Sequence, residues 1–227
     1  MAHLQLMKTH IKEKYFCEFY DKKKPECKSC EKESTSRFII IECKSFYQTF
    51  IDLDKNIVPA WLNMKNSVFD EEIHNTALLY EFSYVVNGAF AAELALKYLL
   101  TLAGIEYSTG AKGHELAYLF GLIIDSNKLS IKQDKEHLVD VLCSQCCQNC
   151  ETLKLNLQNL TNLYNSYRYA FSCKNVSCNT GFFRRFVHIV CKYSIDKANS
   201  LHKEDEDIAK INVTLPDMSD SEYWNLV

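Results

Sequence analysis

The chain has 227 residues, 47% of them apolar and 24% charged, with a formal net charge of −3. That is enough apolar side chain for a packed core, and it excludes wholesale disorder and a globally basic nucleic-acid binder. Six glycines and three prolines are too few turn-formers for a β-sandwich or barrel and favour long helices.

Residues 1–37 carry nine Lys/Arg against six Asp/Glu, and residues 196–227 carry eight Asp/Glu against three Lys. The pattern predicts a helical, lysine-rich extension over 1–60, a helical bundle over 61–203 and a loose acidic tail over 204–227. Within the extension, residues 21–36 read as a loop. Residues 37–41 read as a short strand or the opening of a helix, because an apolar run alone does not separate the two. A helix from about Cys43 is expected to stop at Val58, before Pro59.

The next helix begins at the acidic run Asp70-Glu71-Glu72, which suits a helix N-terminus. It is expected to break, or to pack closely, at Asn87-Gly88. Residues 89–103 are apolar nearly all round, the signature of a buried helix, and Gly104 is a plausible stop. Glu93 and Lys97 are four apart in the favoured order for an ion pair. They form either a structural pair at the rim or a polar stripe lining a site. Gly113-His114 opens a helix whose Leu116, Leu119, Phe120 and Ile123 share one face. His114 reads as a cap or packing residue, or as a holder of a carboxylate such as Glu93.

One long helix is expected over 135–171, with a seam of Cys143, Cys146, Cys150, Leu153, Leu157, Leu160, Tyr164, Tyr167 and Phe171 at alternating spacings of three and four. A last helix over 181–202 buries Phe182, Phe183, Phe186, Ile189, Val190 and Tyr193.

No apolar stretch approaches the roughly 18–20 residues of a membrane span, and no export signal is seen, so the expected compartment is the cytoplasm. There thiols stay reduced, which bears on the eleven cysteines. Cys143, Cys146 and Cys150 extend an apolar seam, where free cysteine behaves as a small hydrophobe. The alternatives are metal or redox chemistry at Cys143, Cys146, Cys147 and Cys150 themselves, and zinc on Cys27 and Cys30, completed by Cys173 and Cys178 or by Cys17 and Cys43. No other cofactor is expected.

Only four arginines occur: Arg37, Arg168, Arg184 and Arg185. Arg168 lies between Tyr167 and Tyr169, where a guanidinium can stack on rings and present a fork to phosphate. The alternative is an Arg locked to a core carboxylate such as Glu93. Arg184 and His188, with Arg185 beside them, lie opposite the phenylalanine stripe of the last helix. That face reads as solvated, or as a basic surface for RNA or a second subunit.

The segments Asn87-Gly-Ala-Phe-Ala-Ala-Glu93-Leu-Ala-Leu-Lys97, Gly113-His-Glu-Leu116, Tyr164-Asn-Ser-Tyr167-Arg168-Tyr169 and residues 182–193 together resemble the HEPN superfamily over roughly residues 70–203. The resemblance implies an all-α, up-and-down bundle of four to five long helices, often a homodimer. Many such proteins are metal-independent ribonucleases of toxin–antitoxin or antiphage systems. Others bind RNA or nucleotides beside a nucleotidyltransferase. Their catalytic motif is an Arg, four to six residues, then a His. From Arg168 the His would fall at Cys173, Lys174 or Asn175. Arg184 and His188 have three residues between them. The chain therefore departs from the motif. The resulting expectation is a non-catalytic module for RNA, a nucleotide or a partner such as an antitoxin. The alternatives are an active endoribonuclease using Arg168, Arg184 and His188, and a zinc or thiol interaction module. Glu93, Lys97, His114, Tyr167, Tyr169 and Arg185 are the expected site-lining residues.

Overall fold

A computed structural model describes residues 28–66, 71–146, 149–160, 179–203, 208 and 213. Among these the chain is all-helical: α1 (Lys28–Asn66), α2 (Glu71–Ala103), a 3-10 turn (Ala111–His114), α3 (Leu116–Asp125), α4 (Leu129–Gln145), α5 (Cys150–Asn159) and α6 (Thr180–Leu201).

Helices α1 and α2 form the long antiparallel pair. Cys43 meets the Ala91 carbonyl near one end, and Tyr84 meets Asp54 near the other. Helix α6 lies across both, antiparallel to α1, as the contacts Lys44–Asn199 and Tyr47–His188 show. Residues 37–41 are therefore helix interior, with Ile39 and Ile40 in the core. The stretch from residue 28 onward is helix, not loop. Tyr47, Phe50, Ile57 and Val58 are also core residues, so α1 is part of the bundle and no appendage. The expected stop at Val58 does not occur, and α1 runs through Pro59 to Asn66. Proline removes one helical hydrogen bond, but the register that buries Ile57 and Val58 continues past it.

Helix α2 does not break at Asn87-Gly88; Gly88 is a close-packing point. A Cβ there would lie 2.6 Å from the Phe50 ring and 2.9 Å from Phe183 Cζ. Bare backbone lets two aromatic rings from two helices meet α2. Residues Tyr80–Ala103 form a stretch long and apolar enough to cross a membrane, contrary to the sequence expectation, and 67% of its apolar window is buried inside the bundle. That burial is what a core helix requires. Gly104, at φ 65°, ends α2. The Ile105 N–H returns to the Leu100 carbonyl at 2.8 Å and the Gly104 N–H to Thr101 at 3.1 Å, the paired bonds of a left-handed C-terminal stop.

The expected helix over 135–171 is two helices in its described part. Cys146 ends α4, and the Asn149 side chain starts α5 by accepting from the Thr152 N–H at 2.9 Å. An Asn cap supplies a partner for an otherwise unpaired amide. The seam survives the break. Cys143 and Cys146 pack half-buried against the core, and Leu153, Leu157 and Leu160 are buried. Tyr164, Tyr167 and Phe171 lie outside the described residues. Helix α6 is capped by Asn179 on the Phe182 N–H at 3.0 Å. It is buried on almost every side from Phe182 to Cys191, with Arg185 half-buried.

Of the stretch expected to be a loose tail, residues 208 and 213 are described, and both meet the bundle. Ile208 is fully buried, Val213 packs on the core, and the buried Lys44 ammonium donates to the Ile208 carbonyl at 2.5 Å.

Gly88→Ala is expected to destabilise the fold by about 1–3 kcal/mol, the range for overpacking a filled core. Urea denaturation measures it as a lower midpoint at unchanged slope. An unchanged midpoint would mean that the two rings yield freely.

Candidate functional site

Two polar clusters sit at different depths. The deeper one is built from α1, α2 and α6. The Arg184 guanidinium grips Asp54 in a fork, with Nε 2.9 Å from Oδ1 and Nη2 2.9 Å from Oδ2. The Tyr84 hydroxyl donates to Asp54 Oδ1 at 2.8 Å. His188 Nε2 stands 3.9 Å from Asp54 Oδ2, and its Nδ1 lies 2.7 Å from the Tyr47 hydroxyl. With Tyr47 donating, the ring proton sits on Nε2 and faces the carboxylate. Aromatic rings wall the cluster: Phe50 stacks on Tyr84 at 4.4 Å and lies 5.2 Å from His188.

Arg184 is 1% exposed and His188 and Asp54 are 0% exposed. The solvated or basic face expected for Arg184 and His188 is therefore corrected: both are core residues. On an isolated helix they lie opposite the phenylalanine stripe, but α1 and α2 cover that side too. Arg185 is half-buried and donates to the Gln145 carbonyl at 3.1 Å, satisfying the C-terminal end of α4.

Burial opposes the Asp54 charge, but the nearby His188 ring and the hydrogen bonds and charge of the Arg184 guanidinium outweigh it and hold the carboxyl well below its usual range. Burial pushes the His188 imidazole down, and the neighbouring Asp54 opposes this without reversing it. The core thus holds an ionised Asp–Arg pair beside a neutral histidine.

The shallower cluster lies at the rim, where α2 meets the turn before α3. Glu93, 1% exposed, accepts from Lys97 Nζ at 2.7 Å. Both its oxygens lie 3.1 Å from His114 Nδ1. A carboxylate only accepts, so the imidazole carries hydrogen on Nδ1, and its Nε2 becomes the basic nitrogen. Lys97 also lies over the Tyr107 ring at 5.6 Å, and exposed Lys112 over Tyr118 at 4.7 Å. Gly113 makes the geometry reachable: a Cβ there would fall 1.9 Å from the Ser108 carbonyl oxygen. Only a glycine lets the loop fold onto itself tightly enough to deliver His114.

Glu93, Lys97 and His114 are thus brought together. Arg168, Tyr167, Tyr169, Cys27, Cys173 and Cys178 lie outside the described residues, and of Cys30 only its place in α1 is described. Among the described residues no group of three His, Cys, Asp or Glu side chains could hold a metal ion. Cys43 and Cys191 are buried thiols. Sequence reasoning missed Asp54, Tyr47 and Tyr84. The available signal was an acid on an apolar stripe: Tyr47, Phe50, Asp54 and Ile57 recur at helical spacing.

The depressed His188 sets a pH dependence. Its folded value lies below the ordinary 6.5, so the unfolded chain takes up this proton first. The stability contribution is whole above pH 6.5 and drains away as pH falls below it. Thermal or urea denaturation from pH 7.5 to 5 should show this loss, with His188 adding up to about 1.4 kcal/mol per pH unit. His188→Gln should flatten the slope by that share. An identical slope in both proteins would contradict a buried neutral histidine.

No protein-family model matches this chain, no curated protein matches it, and no solved structure matches it.

Proposed function

We propose that this chain is a HEPN-like helical module that acts by binding RNA, a nucleotide or a partner protein, and does not cut RNA through Arg184 and His188. One observation carries the reading: that arginine and histidine are sealed in the core and engaged with Asp54 and Tyr47. Metal-free cleavage needs a cation that touches the phosphate and an imidazole that reaches the attacking hydroxyl. A pair at 1% and 0% exposure meets neither need.

The all-helical architecture, with a buried α2 and a turn that returns to it, supports the HEPN-like reading. We assign ligand contact to the rim, where Lys97 offers a donor and His114 a ring nitrogen, both oriented by Glu93, and where Tyr107 and Tyr118 offer ring faces. A cytoplasmic defence or toxin–antitoxin setting, with an antitoxin, a nucleotidyltransferase or a second copy of the chain as partner, belongs to the same reading. It comes from the resemblance and not from the site.

The test incubates the purified full chain with total RNA in EDTA, beside Arg168→Ala. The expected result is intact RNA with both proteins, and at least about a tenfold loss of affinity for a labelled RNA oligomer in the Lys97→Met, His114→Gln double variant, the scale of losing a charge-assisted hydrogen bond. RNA cutting by the wild type that Arg168→Ala abolishes would overturn the reading.

A further inference from the structure

Away from both clusters, two cysteines of α4 lie where small reagents can reach them. Cys43 and Cys191 are fully buried in the core and closed to solvent. Cys143 and Cys146 are only half-buried, and the two residues between them, Ser144 and Gln145, are exposed. Both side chains rest against the core on one side and border solvent on the other. A thiol sealed in apolar surroundings is inert, whereas a reactive one is partly exposed.

The helix sets their spacing. The Cys146 N–H returns to the Leu142 carbonyl at 2.9 Å, so the last turn of α4 is closed and Cys143 and Cys146 share one face. At three residues apart in an α-helix, their Cα atoms are about 5 Å apart, inside the range that a disulfide spans. Their Cβ atoms, about 5–6 Å apart on such a turn, must approach by roughly 1–2 Å more. Cys146 can supply that movement because α4 stops there, with Cys146 at φ −118° and ψ −25°. The junction also holds two contacts that such a movement would pull on. Arg185 of α6 donates to the Gln145 carbonyl at 3.1 Å, and three residues past Cys146 the Asn149 side chain caps α5 on the Thr152 N–H.

We propose that Cys143 and Cys146 form a reversible disulfide, a redox switch at the junction of α4 and α5. The thiolate of one attacks a low-molecular-weight disulfide such as oxidised glutathione, forming a mixed disulfide and releasing one small thiol. The thiolate of the other attacks the cysteine sulfur of that mixed disulfide and releases the second small thiol. The two cysteine thiols lose two electrons and two protons in all, and the small disulfide gains them. Excess reduced glutathione runs the same steps backwards. The switch is independent of the rim and of any RNA bound there.

The test equilibrates the purified full chain in glutathione buffers from reducing to oxidising, traps thiols by alkylation and maps the disulfide by peptide mass spectrometry. A Cys143–Cys146 disulfide is expected, and in Cys146→Ser a glutathione adduct left standing on Cys143. Oxidation should speed amide hydrogen exchange at Thr152 by about fivefold or more, the scale of one lost hydrogen bond, and the same buffer should leave that rate unchanged in Cys143→Ser. A disulfide mapped to Cys147 or Cys150 in place of this pair, thiols that stay reduced in the most oxidising buffer, or a Thr152 rate that oxidation does not change would each overturn the proposal.

Discussion

The fold depends on one buried ion pair. Asp54 and Arg184 lie in a core of aromatic rings, where two charges lose their hydration at a cost of several kcal/mol each. The forked geometry, the Tyr84 hydroxyl and the nearby His188 compensate for that loss. Each partner comes from a different helix: Asp54 from α1, Tyr84 from α2, and Arg184 with His188 from α6. A slip of any helix by one turn would strand a charge in apolar surroundings. Aliphatic packing tolerates small slips, whereas a fork of this kind does not. The pair therefore acts on register more than on net stability.

Helix α2 carries that constraint outward. Its Tyr84 and Gly88 are fixed against α1 and α6 at one level. Two turns on, Glu93 and Lys97 reach the rim at a set height and rotation. The left-handed stop at Gly104 and the tight pass of Gly113 over Ser108 then bring His114 back to Glu93. The rim group is as well placed as it is because the core beneath it has a single register. The same logic separates the roles of the two histidines. His188 is sealed among the Tyr47 and Phe50 rings and the Asp54–Arg184 pair, and His114 has a buried carboxylate behind it and 37% of its side chain exposed.

Much of this was legible in the sequence. The helical class, the face of α3, the stop at Gly104 and the span of α6 follow from apolar spacing and glycine placement. The Glu93–Lys97 pair follows from spacing alone. Three features were hidden for physical reasons. Pro59 signals a stop, yet the helix that buries Ile57 and Val58 just before it runs on at the loss of one hydrogen bond. The seam through Cys143 and Cys146 to Leu160 keeps its period across a capped break, so periodicity could not reveal the division into α4 and α5. Arg184 and His188 sit where an amphipathic helix would show solvent, and only their partner reveals that they are inside. That partner, Asp54, is 130 residues away, beyond any local pattern. Arg168, which the HEPN resemblance singles out, lies outside the described residues, so its side of the site stays with the resemblance.

The central claim is that Asp54 and Arg184 are architectural partners. A double-mutant cycle tests it most directly, using Asp54→Leu, Arg184→Met and the combined variant, with stability read by urea denaturation. Each single change should cost about 3–5 kcal/mol, because it leaves an uncompensated buried charge, and the double change should cost far less than their sum. Additive losses, or single variants as stable as the wild type, would contradict the account.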